Sequence, residues 1–217
     1  MTQVQNTLYI IDGDVIKFEH DDRIYAVHIM RDEFARNPRK EFDNLGKMIC
    51  WHKRYRLGDE HNYTYPSELI HDLNRQEHII LPLYLMDHGS ISISTKDFYD
   101  PWDSGQVGWI YMTKNAYLEA GLPKEQWPTK AVEILKSEVE TYDLYLSGEC
   151  YGYTLCEDTS GIEPPEWDEI DSCWGFYGDD IVASGMADSI PGLLEAIEGN
   201  NYVQGEAVPR TVIDYVF

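Results

Sequence analysis

Residues 156–180 read CEDTSGIEPPEWDEIDSCWGFYGDD and contain nine carboxylates: Glu157, Asp158, Glu163, Glu166, Asp168, Glu169, Asp171, Asp179 and Asp180. No Lys or Arg interrupts them. Carboxylates at this density can do three kinds of chemistry. A pair can share acid and base roles in glycoside hydrolysis. Several can hold a calcium ion through oxygen. A larger set can form a field that attracts a cationic partner. With 39 acidic residues in the chain, closeness of two singles out no acid with a raised pKa, so no hydrolytic pair is assigned. The oxygen-rich runs Asp12-Gly13-Asp14 and YDPWDSG (99–105) lack the ligand spacing of an EF-hand loop and read as turns. The field is what remains. Trp167, Trp174, Phe176 and Tyr177 alternate with the acids, and are expected to bury into a sheet and fix the carboxylates as a rigid display. Rigidity matters because flexible acids lose entropy on docking.

Other chemistries lack their patterns. His20, His28, His52, His61, His71, His78 and His88 form no H-E-x-x-H and no zinc-finger spacing with cysteine. Cys50, Cys150, Cys156 and Cys173 form no C-x-x-C pair and read as reduced thiols. Cys173 has acidic sequence neighbours, which oppose thiolate formation, and is expected to be buried and inert. There is no G-x-S-x-G, and Ser104 lies in a loop before a strand rather than at a strand-to-helix elbow. Neither phosphate-binding glycine motif occurs. No catalytic residue, metal ligand or cofactor is assigned, and the expectation is a protein that is not an enzyme.

The balance of charge extends the first observation to the whole chain. Its 217 residues carry a formal net charge of −22, with 43% hydrophobic and 13% aromatic residues. A core of ordinary size is therefore available, and disorder is not expected. Charge is placed unevenly. Met1 to Glu60 holds ten basic and eleven acidic residues, whereas Glu138 to Phe217 holds eighteen acidic residues and one basic, Arg210. Such a field repels nucleic acid and anionic membranes; adaptation to high salt gives the same balance. The one basic region is RKEFDNLGKMICWHKRYR (39–56), where Arg39, Lys40, Lys47, Lys53, Arg54 and Arg56 cluster with Trp51 and Tyr55. It reads as a solvated face paired with the protein's own acids, or as a homodimer contact. There is no apolar run long enough for a membrane span and no signal-peptide pattern at the start; a cytoplasmic protein of a host cell is expected.

Periodicity and turn residues place the elements that must carry these groups. TLYII and VIKFE flank Asp12-Gly13-Asp14 as a hairpin, with RIYAVHIM as a third strand. PSELIHDLNRQE reads as a short helix with Pro66 early. HIILPLYLMDH, SISIS and VGWIYMT read as strands, with Pro82 marking a bulge or an edge. TKNAYLEAG starts a helix capped by Thr113. Val132, Leu135, Val139, Tyr142 and Leu146 form one apolar stripe on a helix over about 128–147, stopped by Gly148. CYGYTLCE and DSCWGFYG are strands around the loop DTSGIEPPEWDEI; MADSIPGLLEAIEGN is a short helix and VPRTVIDYVF a closing strand. The class is α+β, mainly antiparallel sheet with a few packed helices. Residues 1–62 form a β-rich, near-neutral region with the basic cluster. Residues 63–217 form an acidic α+β region, which one continuous domain would also accommodate.

Three stretches, DSGQVGWIYMT (103–113), YDLYLSGECYGY (142–153) and DSCWGFYG (171–178), together resemble an uncharacterised group of acidic proteins of phages and mobile elements. The resemblance covers about thirty residues, implies only a mobile-element setting and transfers no site residue. Small acidic proteins from that setting include antirestriction and anti-CRISPR inhibitors, several of which mimic DNA; no match to the ArdA antirestriction pattern is found. B-DNA carries one charge per roughly 1.7 Å of axis, so the chain's total charge matches on the order of 37 Å of duplex. A compact body of this length is about 45 Å across. The leading expectation is a DNA-mimic inhibitor whose nine carboxylates occupy the DNA channel of a basic host defence protein, with no nucleic acid or membrane as direct partner. An acidic adaptor that does not mimic DNA, and a small enzyme or ligand-binding protein, are the alternatives.

Overall fold

The computed structural model describes residues 8–162 and 164–205. Strands and helices follow in the order β1 (Val15–His20), β2 (Arg23–Arg31), α1 (Pro38–Glu41), β3 (Lys47–Cys50), α2 (Pro66–Leu73), β4 (His78–His88), β5 (Ser90–Ser94), β6 (Ser104–Thr113), α3 (Lys114–Glu119), α4 (Thr129–Ser147), β7 (Cys150–Asp158), β8 (Trp167–Tyr177), α5 (Met186–Ser189), α6 (Leu193–Glu198) and β9 (Tyr202–Gly205). All described strand pairs are antiparallel. The class is α+β with two mainly antiparallel sheets, as the alternation of hairpin signals and helices predicts.

The chain divides into two compact units, Met1–Ala35 with Gly148–Phe217, and Arg36–Ser147. This division differs from the boundary expected near residue 62. Its cause is the pairing of β2 with β7, Val27 opposite Leu155 and Ile29 opposite Tyr153. That pairing joins segments more than a hundred residues apart, so the middle of the chain is an insertion into the first unit.

In the first unit the sheet order is β8-β7-β2-β1-β9. Ile16, Phe18, Val27, Ile29, Tyr151, Tyr153 and Leu155 point to one face, where they pack with Ile181, Met186, Leu193 and Ile197 of α5, α6 and the turns beside them. Period-two alternation sends Val15, Ala26, Cys156 and Trp167 to the other face as a smaller cluster. The expected hairpin of TLYII with VIKFE does not form. Tyr9 makes only an isolated bridge to Asp180, and β1 instead turns into β2 at Asp21-Asp22, both with positive φ. Aspartate is among the few non-glycine residues that tolerate that conformation. Pro191-Gly192 splits the expected last helix into α5 and α6, because proline cannot continue an α-helix. The expected strand VPRTVIDYVF lies outside the described residues.

The second unit is layered. The sheet order is β3-β6-β4-β5, with α4 on one face through Leu135, Val139 and Tyr142 against Leu83, Leu85, Ile93 and Ile110. On the opposite face α2 places Leu69 and Leu73 against Ile49, Ile80, Trp109 and Tyr111. Burial on both faces is why β4 reads as a continuous apolar run. Pro82 sits inside the sheet beside Trp109, and the register shifts one residue later, between Leu83 and Tyr84. The Thr113 hydroxyl caps α3 by accepting from the Ala116 N–H at 3.2 Å.

Candidate functional site

The acidic stretch forms the β7–β8 hairpin, and β8 is the end strand of its sheet. From Asp168 to Gly175 every residue of β8 is exposed. Trp167 anchors its start: the ring is buried with Val15, Ala26 and Cys156, and the Lys17 ammonium stands 5.5 Å from its centroid. Trp174 anchors the far end by lying across Gly152. A Cβ on Gly152 would stand 2.3 Å from the Trp174 ring, so only glycine admits this contact. The other aromatics serve as expected in part. Phe176 and Tyr177 are half-buried, but Trp174 is 48% exposed. Cys173 is also exposed rather than buried, because an end strand has neighbours on one side only.

The carboxylates of β8 do not share one face. Two register shifts in the β7–β8 pairing, after Tyr151 and after Leu155, set their directions. Asp168 and Asp171 stand opposite Glu157 and Leu155, on the face that carries α5 and α6. Glu169 stands opposite Cys156, on the other face with Trp167. The display expected of these acids is thus divided between the two faces of β8.

Nor are all nine free. Glu157 is paired with Arg23 at 3.2 Å. One Asp158 oxygen accepts from the Ser160 N–H at 2.9 Å, the Ser160 hydroxyl at 2.8 Å and the Gly161 and Glu166 N–H groups at 3.3 Å. These bonds, that of the Ser160 hydroxyl first, hold its pKa below the ordinary carboxylate value. Asp171 accepts from the Tyr153 hydroxyl at 2.8 Å; burial and this bond both push the Tyr153 pKa up. Asp180 accepts from the Val182 and Ala183 N–H groups at 3.0 and 2.9 Å and closes the turn before α5. Glu166, Asp168, Glu169 and Asp179 are exposed and, among the described residues, have no side-chain partner. Glu163 lies outside the described residues.

No protein-family model, curated protein or solved structure matches this chain. The first unit holds twenty-two acidic and four basic residues, a net of −18, and the second holds seventeen and thirteen, a net of −4. The division by fold concentrates the charge in one compact body. Among the described residues no strand pairs with the outer side of β8, and that edge bears unpaired carboxylates, an arrangement suited to meeting a cationic surface.

The basic cluster turns out to be of two kinds. Arg39 is no surface group; its side chain is 1% exposed. Its guanidinium donates to Asp59 at 2.8 and 3.0 Å, to Glu138 at 2.7 Å and to the Gly46 carbonyl at 2.7 Å. Burial alone would lower the Arg39 pKa; the hydrogen bonds to Asp59 and Glu138 outweigh it, and the net shift is upward. Arg54 pairs with Asp87 at 3.1 Å. Lys40, Lys47, Lys53 and Arg56 are exposed without an ion pair among the described residues. No sequence signal separates Arg39 from its neighbours, since its acids lie 20 and 99 positions away. Among the described residues no three His, Cys, Asp or Glu side chains converge to hold a metal, and no helix is long and apolar enough to cross a membrane.

Proposed function

We propose that this chain is an acidic binding protein that lays the β8 edge into the DNA channel of a cationic host defence protein, of restriction-modification or CRISPR type, and blocks it. One observation carries the reading: an open, exposed strand edge with unpaired Glu166, Asp168 and Glu169, in a unit of net charge −18. An edge met from its open side offers the side chains of both faces in a zigzag. Residues along a strand rise about 3.3 Å each, close to the roughly 3.4 Å per phosphate along one DNA strand. The acids from Glu166 to Asp171 then imitate a short phosphate row on the order of 17 Å long. The mimicry is local, a fraction of the full turn that total charge alone suggested. The wider field of the unit supplies steering and salt sensitivity.

The test is competition. A type I restriction enzyme and a Cas9-type effector are each incubated with labelled duplex and increasing protein. Duplex should be displaced, and displacement should weaken steeply between about 50 and 200 mM salt. Glu166→Gln, Asp168→Asn and Glu169→Gln should weaken it stepwise when combined, without loss of fold. Duplex that stays bound to every enzyme tried would sink the reading.

A second reading has its own support in the second unit. Tyr99 and Trp102 are 89% and 91% exposed on a loop made rigid by Asp97, which accepts from the Tyr99 N–H, and Asp100, which accepts from those of Trp102 and Asp103. Pre-ordered aromatics are common anchors in protein contacts, and they favour an adaptor that binds without imitating DNA. Trp102→Ala would abolish binding in that case, and combined neutralisation of Glu166, Asp168 and Glu169 would leave it intact.

A further inference from the structure

The second unit holds a groove that the acidic reading leaves unused. It has a volume of about 1070 Å³ and is lined by residues of the 50–62 segment other than Arg54, together with Asn37 and Lys40. This size lies just above the range of about 300–1,000 Å³ typical of small-molecule sites. The segment has little regular secondary structure, yet its backbone is fixed at several points. The Trp51 N–H donates to the Val107 carbonyl at 2.8 Å and the Trp51 indole N–H to the Tyr63 carbonyl at 3.1 Å. The Gly58 N–H donates to the Tyr142 hydroxyl at 3.1 Å, and the Asp59 N–H to the Met48 carbonyl at 2.7 Å. The groove is therefore preformed, and a ligand need not order it.

Its charge is opposite to that of the rest of the molecule. Lys40, Lys53 and Arg56 line it without an ion pair among the described residues. Of the two acids in its lining, Asp59 shares the Arg39 guanidinium with Glu138, so that cluster keeps one net negative charge, and Glu60 adds another; the three cations still outnumber them. Its walls are aromatic. The Trp51 ring is held edge-on by Trp109 and His61, and His52 stacks on Tyr55 with 6° between the planes. His52 Nδ1 accepts from the Arg54 and Tyr55 N–H groups, so its ring proton sits on Nε2, which is left to donate. His61 Nε2 donates to the Cys50 carbonyl; its Nδ1 is closed off without a donor, an unmet acceptor in the wall.

We propose that this groove binds a small phosphorylated ligand with a planar ring, of the nucleotide class. Lys40, Lys53 and Arg56 would take the phosphate, with Trp51 and the His52–Tyr55 stack beside the ring. Charge selects size. A polyanion must enter the field of a chain with net charge −22, which repels it over a Debye length of about 8 Å. A ligand with one phosphate meets mainly the local cations. Charge-assisted hydrogen bonds to phosphate are the strong kind.

Isothermal titration of the full chain at about 50 mM salt tests this with four probes: AMP, adenosine, inorganic phosphate and a ten-nucleotide single strand. AMP should bind more tightly than adenosine and more tightly than phosphate. Lys53→Glu with Arg56→Glu should weaken AMP binding about tenfold or more. Lys53→Arg with Arg56→Lys should keep it, and both pairs should retain the parent's Tm, since these side chains are exposed. Absence of AMP binding overturns the proposal. So does phosphate binding equal to AMP, which would leave the aromatic walls idle, and so does tighter binding of the single strand. None of these outcomes touches the β8 edge, whose own test uses other residues and another partner.

Discussion

The two units use carboxylates in opposite ways. In the first, four of the eight described acids of the hairpin region face water without a partner among the described residues, and the other four are engaged only with local turns or single side chains. In the second, Asp59 and Glu138 are half-buried around Arg39 and tie α1, β3 and the middle of α4 together. One unit holds surplus charge at an edge and the other gathers two carboxylates around a buried guanidinium. The difference teaches that acidity in this chain is no uniform coat. Where acids meet a buried guanidinium they make structure, and where they meet only each other they are available to a partner, at a cost in self-repulsion.

The largest expected effect comes from breaking this buried cluster. Arg39→Ala strands Asp59 and Glu138 beside a cavity, and removing one partner of a buried pair typically costs about 3–5 kcal/mol. Urea unfolding of the variant should show a loss of that order; a loss below about 1 kcal/mol would mean the network is solvated after all, and the contrast between units would vanish. Next comes the anchor of the acidic edge. Gly152→Ala drives a methyl group into the Trp174 ring and the Cys173 carbonyl, and overpacking of this kind costs about 1–3 kcal/mol. The β8 amides should exchange faster with deuterium than in the parent, while those of β6 should not change.

A smaller effect separates the units by salt. Raising ionic strength screens like-charge repulsion, so amide protection in β7 and β8 should increase by some tenths of a kcal/mol, on the order seen for exposed charge pairs. Amides of β3, beside the Arg39 network, should respond less. Equal responses would show that the surplus charge is not felt locally.

The smallest effects are titrations, one in each unit and of opposite sign. The carboxylate of Asp103, 2.6 Å from His88, raises the His88 pKa above 6.5 through a hydrogen bond. The contact ties the end of β4 to the residue before β6; it stabilises below that value, and its contribution is lost as pH rises through the folded pKa. The Asp158 pKa is depressed below 3.8 by Ser160 and its neighbours. Its stabilisation of the 158–166 loop is present above the ordinary value and is lost as pH falls through the depressed one. NMR titration of both groups checks the two directions; a His88 pKa at or below 6.5 would remove the first, and an Asp158 pKa at or above 3.8 the second.

Much of this molecule is legible one segment at a time. The apolar stripe of α4, the alternation in SISIS, the cap at Thr113 and the stop at Gly148 are local patterns, because helix and strand periods and turn conformations act over a few residues. The excess of acids after Glu138 is legible as well, since charge adds without regard to fold. The sequence alone therefore determined the class of the protein, most of its elements and the sign of its field. Only the tertiary structure decided that β1 and β2 join β7, β8 and β9 in one sheet, that β8 takes its end, that the acids divide between two faces, and that Arg39 of all the basic cluster is buried. These outcomes depend on which distant segments meet, and that is settled by the sum of many weak contacts over the whole core, which no local window contains.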